Sequence, residues 1–176
     1  DVCSSDLLRS LCVCDRLEVA DWDFVQEVVK RADDCGVELC VENGHLDVLL
    51  ELGRQFDSVR YCIDTGHARL NENHSFREIV DTLAEKTTYL HLTDNYGRLD
   101  DHEPPGVRGG IDKANWQYLL QKLQQYDNDL IASLQMVPCM PGTMIRQGSK
   151  FLFEVMGWPN RPVPEPGYDE SSYRPT

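Results

Sequence analysis

The sequence predicts an α/β fold of parallel βα units, with about four strands and five helices. Strand-like apolar runs alternate with segments whose apolar residues recur at helical spacing, a pattern typical of βαβ units. The strand-like runs are VELCVEN from Val37, SVRYCID from Ser58, TTYLHLTDN from Thr87 and DLIASLQM from Asp129. Each run is separated from the next by a helix-length segment, so the strands are expected to lie parallel in one sheet.

The helical segments carry recognisable start and stop signals. Asp23 is a candidate N-cap for the first helix and Gly36 a candidate stop, while Ser75 and Glu78 form a capping-box signature for the third. The predicted helices cover 23–34, 46–56, a segment after Ser75, a segment after Asp112 or Asn115, and about 146–156. Four such βα units make half of an eight-stranded barrel, and a small open doubly wound sheet is the alternative.

Length and composition predict one soluble, partial barrel domain over residues 1–176. The chain is 41% hydrophobic and 27% charged, which suits a globular core. Residues 1–7, DVCSSDL, resemble the translation of a sequencing-adapter end, so they are expected to be non-native and the natural protein to extend upstream. Residues 158–176 are rich in proline and are expected to form an irregular tail.

Charge and hydropathy exclude several classes of partner. The formal net charge of -13 has no compensating basic stripe, which argues against nucleic acid. No run approaches the roughly 20 apolar residues of a membrane span, and the start lacks a secretory signal, so a cytoplasmic location is expected. The seven cysteines lack a CxxC pair and are expected to be reduced.

Three predicted strands end at residues that bind hard metals. These residues are Glu42, Asp64 and His91. The carboxyl ends of parallel strands meet at one edge of a sheet, which is where α/β barrels keep their chemistry. Individually, Glu42 could cap a loop, Asp64 could form an Asx-turn and His91 could be a core histidine. Their occurrence at three equivalent strand ends favours a metal site.

Two carboxylates and one imidazole suit a divalent metal ion, namely Mn²⁺, Mg²⁺, Co²⁺ or Zn²⁺. Such an ion acts as a Lewis acid, which can polarise a carbonyl and stabilise an enediolate oxygen. A flanking carboxylate such as Glu42 would then accept the proton from the neighbouring carbon. The residue types therefore predict proton transfer next to a carbonyl.

Four motifs carry a family resemblance. They are ENGH at 42–45, DTGHARL at 64–70, HLTDNYGRLDDHEPPG at 91–106 and GGID at 109–112. Together, over roughly residues 20–157, they resemble the second half of the xylose-isomerase-like barrel family of sugar phosphate isomerases, epimerases and related endonucleases. The resemblance implies the C-terminal half of a TIM barrel, with Glu42, Asp64 and His91 coordinating the metal.

The resemblance also implies substrate-binding residues. His67 matches a histidine that contacts substrate hydroxyls in the epimerases and is a zinc ligand in apurinic-site endonucleases. Asp100 and His102 match residues that complete a multi-zinc cluster in the endonucleases, although many sugar-acting members also carry them. Independently of the family, Arg98 lies between His91 and this pair, where it could bind a substrate phosphate or carboxylate.

The last predicted strand departs from the family pattern at Ser133. In the family this strand carries a glutamate that is a metal ligand and, in the epimerases, the second of two bases. A serine hydroxyl is a weak ligand and a poor base, so two-base epimerisation is in doubt. Gln135 has the same strand parity and is expected to place a carbonyl oxygen near the metal.

The sequence therefore favours a metal-dependent sugar or sugar-phosphate isomerase/epimerase, present here as a fragment, with a small-molecule sugar substrate. Two alternatives stay open: an apurinic-site endonuclease-like metal phosphodiesterase, and a catalytically impaired, barrel-derived sugar-binding protein. A half-barrel would leave two unpaired sheet edges, so self-association through the missing half is expected.

Overall fold

The computed structural model describes residues 10–13, 22–107 and 109–157. The expectations for residues 1–7 and for the tail at 158–176 lie outside these ranges. The strands are β1 Ser10–Val13, β2 Glu38–Glu42, β3 Arg60–Asp64, β4 Thr87–Leu92 and β5 Ile131–Leu134. The helices are α1 Trp22–Cys35, α2 Leu46–Gln55, α3 Thr65–Leu70, α4 Phe76–Leu83, α5 Lys113–Leu123 and α6 Gly142–Met156, with a 3₁₀ turn at Ala84–Lys86.

The predicted α/β class is confirmed, with one strand and one helix more than expected. β1 is only four residues long and precedes the first strand that was predicted. The short helix α3 begins directly at the end of β3 and spans six residues, too few to show a helical period in the sequence. Helix α6 starts at Gly142, four residues before the expected position.

The five strands form one parallel sheet in chain order, β1-β2-β3-β4-β5. A doubly wound sheet reverses its strand order at a switch point. The described strands contain no such reversal, which contradicts the open doubly wound alternative. A parallel sheet whose strands follow one another in chain order, with the helices on one side of the sheet, has the geometry of a barrel segment.

The two faces of the sheet have opposite chemistry. Apolar strand residues join the core beneath the helices, and they include Val41, Ile63, Leu90 and Leu92. The residues that alternate with them, Glu42, Asp64 and His91, lie on the other face. Asp64 and His91 are register partners, and Glu42 pairs with Cys62, which lies on the same face as Asp64. The sheet therefore separates an apolar core from a polar concave surface.

The predicted N-caps at Ser75 and Asp112 are confirmed, whereas Asp23 is not the N-cap of α1, because this helix already begins at Trp22 and Asp23 lies in its first turn. Ser75 and Glu78 form the complete capping box of α4, and Asp112 caps α5 by accepting a hydrogen bond from the Asn115 N–H. The cysteines at 35, 40, 62 and 139 are free thiols. Over the described ranges, no helix has both the length and the apolarity to cross a bilayer.

The capping box yields a stability prediction. Ser75→Ala removes the side chain that accepts the Glu78 N–H, and we expect the free energy of unfolding to fall by about 1 kcal/mol. The matched control is Ser149→Ala inside α6, where the hydroxyl only bonds back to the Ile145 carbonyl and alanine is a better helix former. Urea unfolding of both variants measures the difference. Equal stabilities would contradict the role of the cap.

Candidate metal centre

The structure brings together the three strand-end residues that the sequence singled out. Glu42 and Asp64 are the last residues of β2 and β3, and their relative exposures are only 1% and 0%. His91 lies one residue before the end of β4. Its Nδ1 atom is 3.1 Å from Glu42 Oε1 and 3.8 Å from Asp64 Oδ2. Two buried carboxylates and an imidazole therefore meet at the carboxyl edge of the sheet.

His67 joins this cluster because α3 begins directly after β3. Asp64 is the N-cap of α3, and its Oδ1 accepts the His67 N–H at 2.9 Å. This turn places His67 Nδ1 3.4 Å from Glu42 Oε1. One donor atom each of Glu42, Asp64 and His67 lie within 4.8 Å of one another. His67, which the sequence assigned to the substrate, is thus also placed as a metal-ligand candidate.

The donor set fits a divalent cation. Asp64 Oδ2 is buried and has no hydrogen-bond partner in the described part of the chain. Burial raises the pKa of Asp64 to about 6, although the His67 charge and its N–H oppose the shift. A buried carboxylate oxygen without a donor is costly, and a cation would satisfy it. Glu42, Asp64, His67 and His91 are the residues that would hold such an ion.

Asp100 connects the buried cluster to the surface. Its Oδ2 lies 3.1 Å from His67 Nε2 and 3.1 Å from His102 Nε2, so one carboxylate oxygen serves two imidazoles. His102 has a φ of 48°, a left-handed conformation uncommon for residues other than glycine. Burial lowers the pKa of His67, but the carboxylates of Asp64, Glu42 and Asp100 outweigh it and raise the pKa overall.

Arg98 is the one predicted substrate residue that does not join this cluster. It is exposed and lies two residues before Asp100 on the loop that follows β4. No hydrogen bond or ion pair links it to His67, Asp100 or His102 within residues 22–107. Its assignment to a substrate phosphate stays a prediction.

Asp94 shapes the loop that carries Asp100 and His102, and sequence reasoning missed it. Its Oδ1 accepts the N–H groups of Asn95 and Ile111, both at 2.8 Å, and its Oδ2 accepts the Gly106 N–H at 3.2 Å. Burial raises its pKa even though these backbone bonds favour the charged form. One carboxylate therefore accepts hydrogen bonds from backbone N–H groups at three points of the loop. The sequence feature that could have identified Asp94 is its position just after the end of a buried strand.

Two further side chains join neighbouring strand ends. Thr65 Oγ1 lies 2.6 Å from the Thr93 carbonyl and accepts the Thr93 N–H at 3.0 Å, which ties β3 to β4. The Asn43 side chain hydrogen-bonds both backbone groups of Asp64, which ties β2 to β3. The space beside Asp64 is tight, since a Cβ on Gly66 would lie 3.2 Å from Asp64 Oδ1.

The last strand presents neutral groups to the site. Ser133 is the register partner of His91, so a hydroxyl lies on β5 beside the imidazole. The Gln135 N–H donates to the Leu92 carbonyl at 3.4 Å, and the Gln135 Oε1 is buried without a hydrogen-bond partner among residues 22–107 and 109–157. The expectation that this oxygen lies near the metal stays a prediction.

A family model described as xylose isomerase-like TIM barrel matches residues 18–155. The chain belongs to this family. The matched region contains every strand end of the site and the loop with Asp100 and His102. Among curated proteins, no match to the chain was found.

A solved structure has a fold similar to that of this chain. The crystal structure of a D-tagatose 3-epimerase-like protein superposes with a TM-score of 0.64 at 21% sequence identity, covering 85% of this chain. The chain spans 63% of the length of that protein. At this identity the likeness establishes the fold, and it agrees with the predicted barrel fold.

The raised pKa of Asp64 predicts a pH-dependent stability in chelator-treated protein. Its carboxyl ionises near pH 3.8 in the unfolded chain but near 6 in the folded one, so the folded state binds the extra proton between these values. Stability must then fall as the pH rises from about 4 to about 6, by roughly 2 kcal/mol. Urea unfolding across this range measures the slope.

Asp64→Asn should flatten that slope, while Asp34→Asn, which removes an exposed carboxylate on α1, should leave it unchanged. Added divalent cation should oppose the loss, because it binds the ionised carboxylate. A slope that persists in Asp64→Asn would assign the effect to another group.

Proposed function

We propose that this chain carries the metal site of a sugar or sugar-phosphate isomerase/epimerase, which transfers a proton next to a carbonyl through an enediolate. The observation that carries the proposal is the buried cluster of Glu42, Asp64, His67 and His91 with its orphaned Asp64 Oδ2. Membership of the xylose isomerase-like family supports it. The substrate is a small molecule, because a formal net charge of -13 disfavours a nucleic acid.

Each side chain has a role that follows from its place. Glu42 accepts the proton from the carbon next to the carbonyl, because its carboxylate lies at the inner edge of the cluster between two imidazoles. His67 and His102, held by the shared Asp100 carboxylate, face the substrate hydroxyls. A divalent cation, when bound, supplies Lewis acidity that weakens the neighbouring C–H bond.

The neutral last strand favours isomerisation over epimerisation. Two-base epimerisation needs a second carboxylate on the face of the enediolate opposite Glu42. The described β5 offers Ser133 beside His91, and serine cannot accept a proton at neutral pH. Isomerisation needs only one base, because Glu42 can remove the proton from one carbon and deliver it to the adjacent former carbonyl carbon on the same face of the enediolate.

The proposed chemistry predicts exchange of a carbon-bound proton with solvent. Chelator-free protein with Mn²⁺ should exchange the proton next to the carbonyl of a ketose or ketose phosphate in D₂O, as followed by NMR. Glu42→Gln should lower the rate by about 10²–10⁴-fold. The matched control Glu38→Gln changes a carboxylate on the same strand and face, four residues from Glu42, and should keep the rate. Equal rates in both variants would contradict the role of Glu42.

A metal-dependent phosphodiesterase is the second candidate, and one observation favours it. Asp100 Oδ2 lies 3.1 Å from both His67 Nε2 and His102 Nε2, an arrangement that could hold a further cation. Such an enzyme would cleave DNA at apurinic sites. Cleavage of abasic-site DNA without any sugar exchange would select this candidate, whereas sugar binding without either reaction would select a binding protein.

Metal stoichiometry separates these candidates. Elemental analysis of protein purified without chelators should give about one divalent ion per chain. Asp64→Asn should lose it, because Asp64 supplies a buried oxygen that no donor in the described part of the chain satisfies. Two or three zinc ions per chain would instead favour the phosphodiesterase. Protein without metal would contradict the proposed centre.

A further inference from the structure

The side chain of Asn43 continues the sheet beyond the end of β2. Asn43 follows Glu42 and is buried, with a relative exposure of 4%. Its backbone N–H donates to the Cys62 carbonyl at 3.1 Å. Its Nδ2 donates to the Asp64 carbonyl at 3.1 Å, and its Oδ1 accepts the Asp64 N–H. Three hydrogen bonds thus run from one residue to the end of β3.

A carboxamide can do this because it offers the same groups as a peptide bond, one carbonyl and N–H donors. The strand ladder between β2 and β3 ends at the pair Glu42 and Cys62, two residues short of Asp64. The backbone N–H and C=O of Asp64 are buried and need partners. The Asn43 side chain satisfies both, so it replaces the next rung of the ladder.

The hydrogen bonds of Asn43 connect the two residues whose carboxylates belong to the proposed metal centre. Asn43 is covalently joined to Glu42 and hydrogen-bonded to the backbone of Asp64, so it links both residues directly. On its other side, Asp64 is held by the His67 N–H and by the Thr65 bonds to β4. Beyond the last β2–β3 rung, the side-chain hydrogen bonds of Asn43 join the Glu42 strand end to the backbone of Asp64.

We propose that Asn43 is a positioning residue that sets the separation of Glu42 and Asp64, and thereby the size of the cation that the centre accepts. The inference rests on the proposed metal site. Mn²⁺ binds oxygen ligands at shorter distances than Ca²⁺, which takes them at about 2.3–2.6 Å in flexible geometry. A loosened pair of carboxylates therefore loses affinity for the smaller ion first.

The test compares metal affinities of folded variants. The variants are Asn43→Ala and Asn43→Asp, where aspartate keeps the size and the acceptor of asparagine but lacks the donor to the Asp64 carbonyl. The control is Asn128→Ala, which removes an amide that donates to the carbonyls of Ala84, Glu85 and Thr87, where β4 begins, at the edge of the sheet opposite the site. Calorimetric titration gives the Mn²⁺ and Ca²⁺ affinities, and thermal unfolding without metal gives the stability.

Both Asn43 variants should bind Mn²⁺ about 10–100-fold more weakly, with a smaller loss for Ca²⁺, so that the ratio of the two affinities falls. Asn128→Ala should lose thermal stability yet keep both affinities within about twofold of wild type. This pattern supports positioning, because general loosening of the fold would affect the control as well.

Unchanged affinities and an unchanged ratio in the Asn43 variants, beside lowered thermal stability, would overturn the inference and leave Asn43 a purely structural residue. If Asn43→Ala does not fold, Asn43→Asp decides by the same measurement. Wild-type protein that binds neither ion would overturn the metal centre and this inference together. If the wild type binds the ions and the Asn43 substitutions leave both affinities unchanged, only this inference is overturned.

Discussion

The burial of two carboxylates at one edge of the sheet is the constraint on which the rest of the site depends. Glu42 and Asp64 are almost inaccessible to solvent, and an uncompensated buried charge costs several kcal/mol. The neighbouring side chains offset part of this cost, since His67 and His91 place imidazoles within 3.4 Å of Glu42. Among residues 22–107 and 109–157, no donor reaches Asp64 Oδ2, which makes the cluster suited to a cation and poorly suited to a closed core.

The loop after β4 extends this centre toward the surface. The Asp94 carboxylate accepts hydrogen bonds from backbone N–H groups at both ends of the loop. The backbones of Asp94 and Glu103 also pair in an isolated antiparallel bridge. The loop is thereby folded so that Asp100 bridges His67 and His102. Asp100 and His102 thus lie at the more exposed rim of the cluster, above the buried carboxylates of Glu42 and Asp64.

The described part of β5 carries neutral side chains at the end that lies beside His91. Ser133 is the register partner of His91 and presents a neutral hydroxyl, and the neutral side-chain amide of Gln135 follows on the same strand end. The charge that faces a cation is then carried by Glu42 and Asp64 alone among the strand ends described.

Local features of the sequence determined the βα alternation, the caps at Ser75 and Asp112, and the presence of Glu42, Asp64 and His91 at three strand ends. These features depend on side-chain alternation and hydrogen bonds within a few residues, which a sequence displays directly. Only the tertiary structure decided that His67 reaches Glu42, that Asn43 holds Asp64 from 21 residues away, and that Asp94 folds the loop. Those contacts depend on the register of neighbouring strands, and a shift of one residue would turn each side chain to the opposite face.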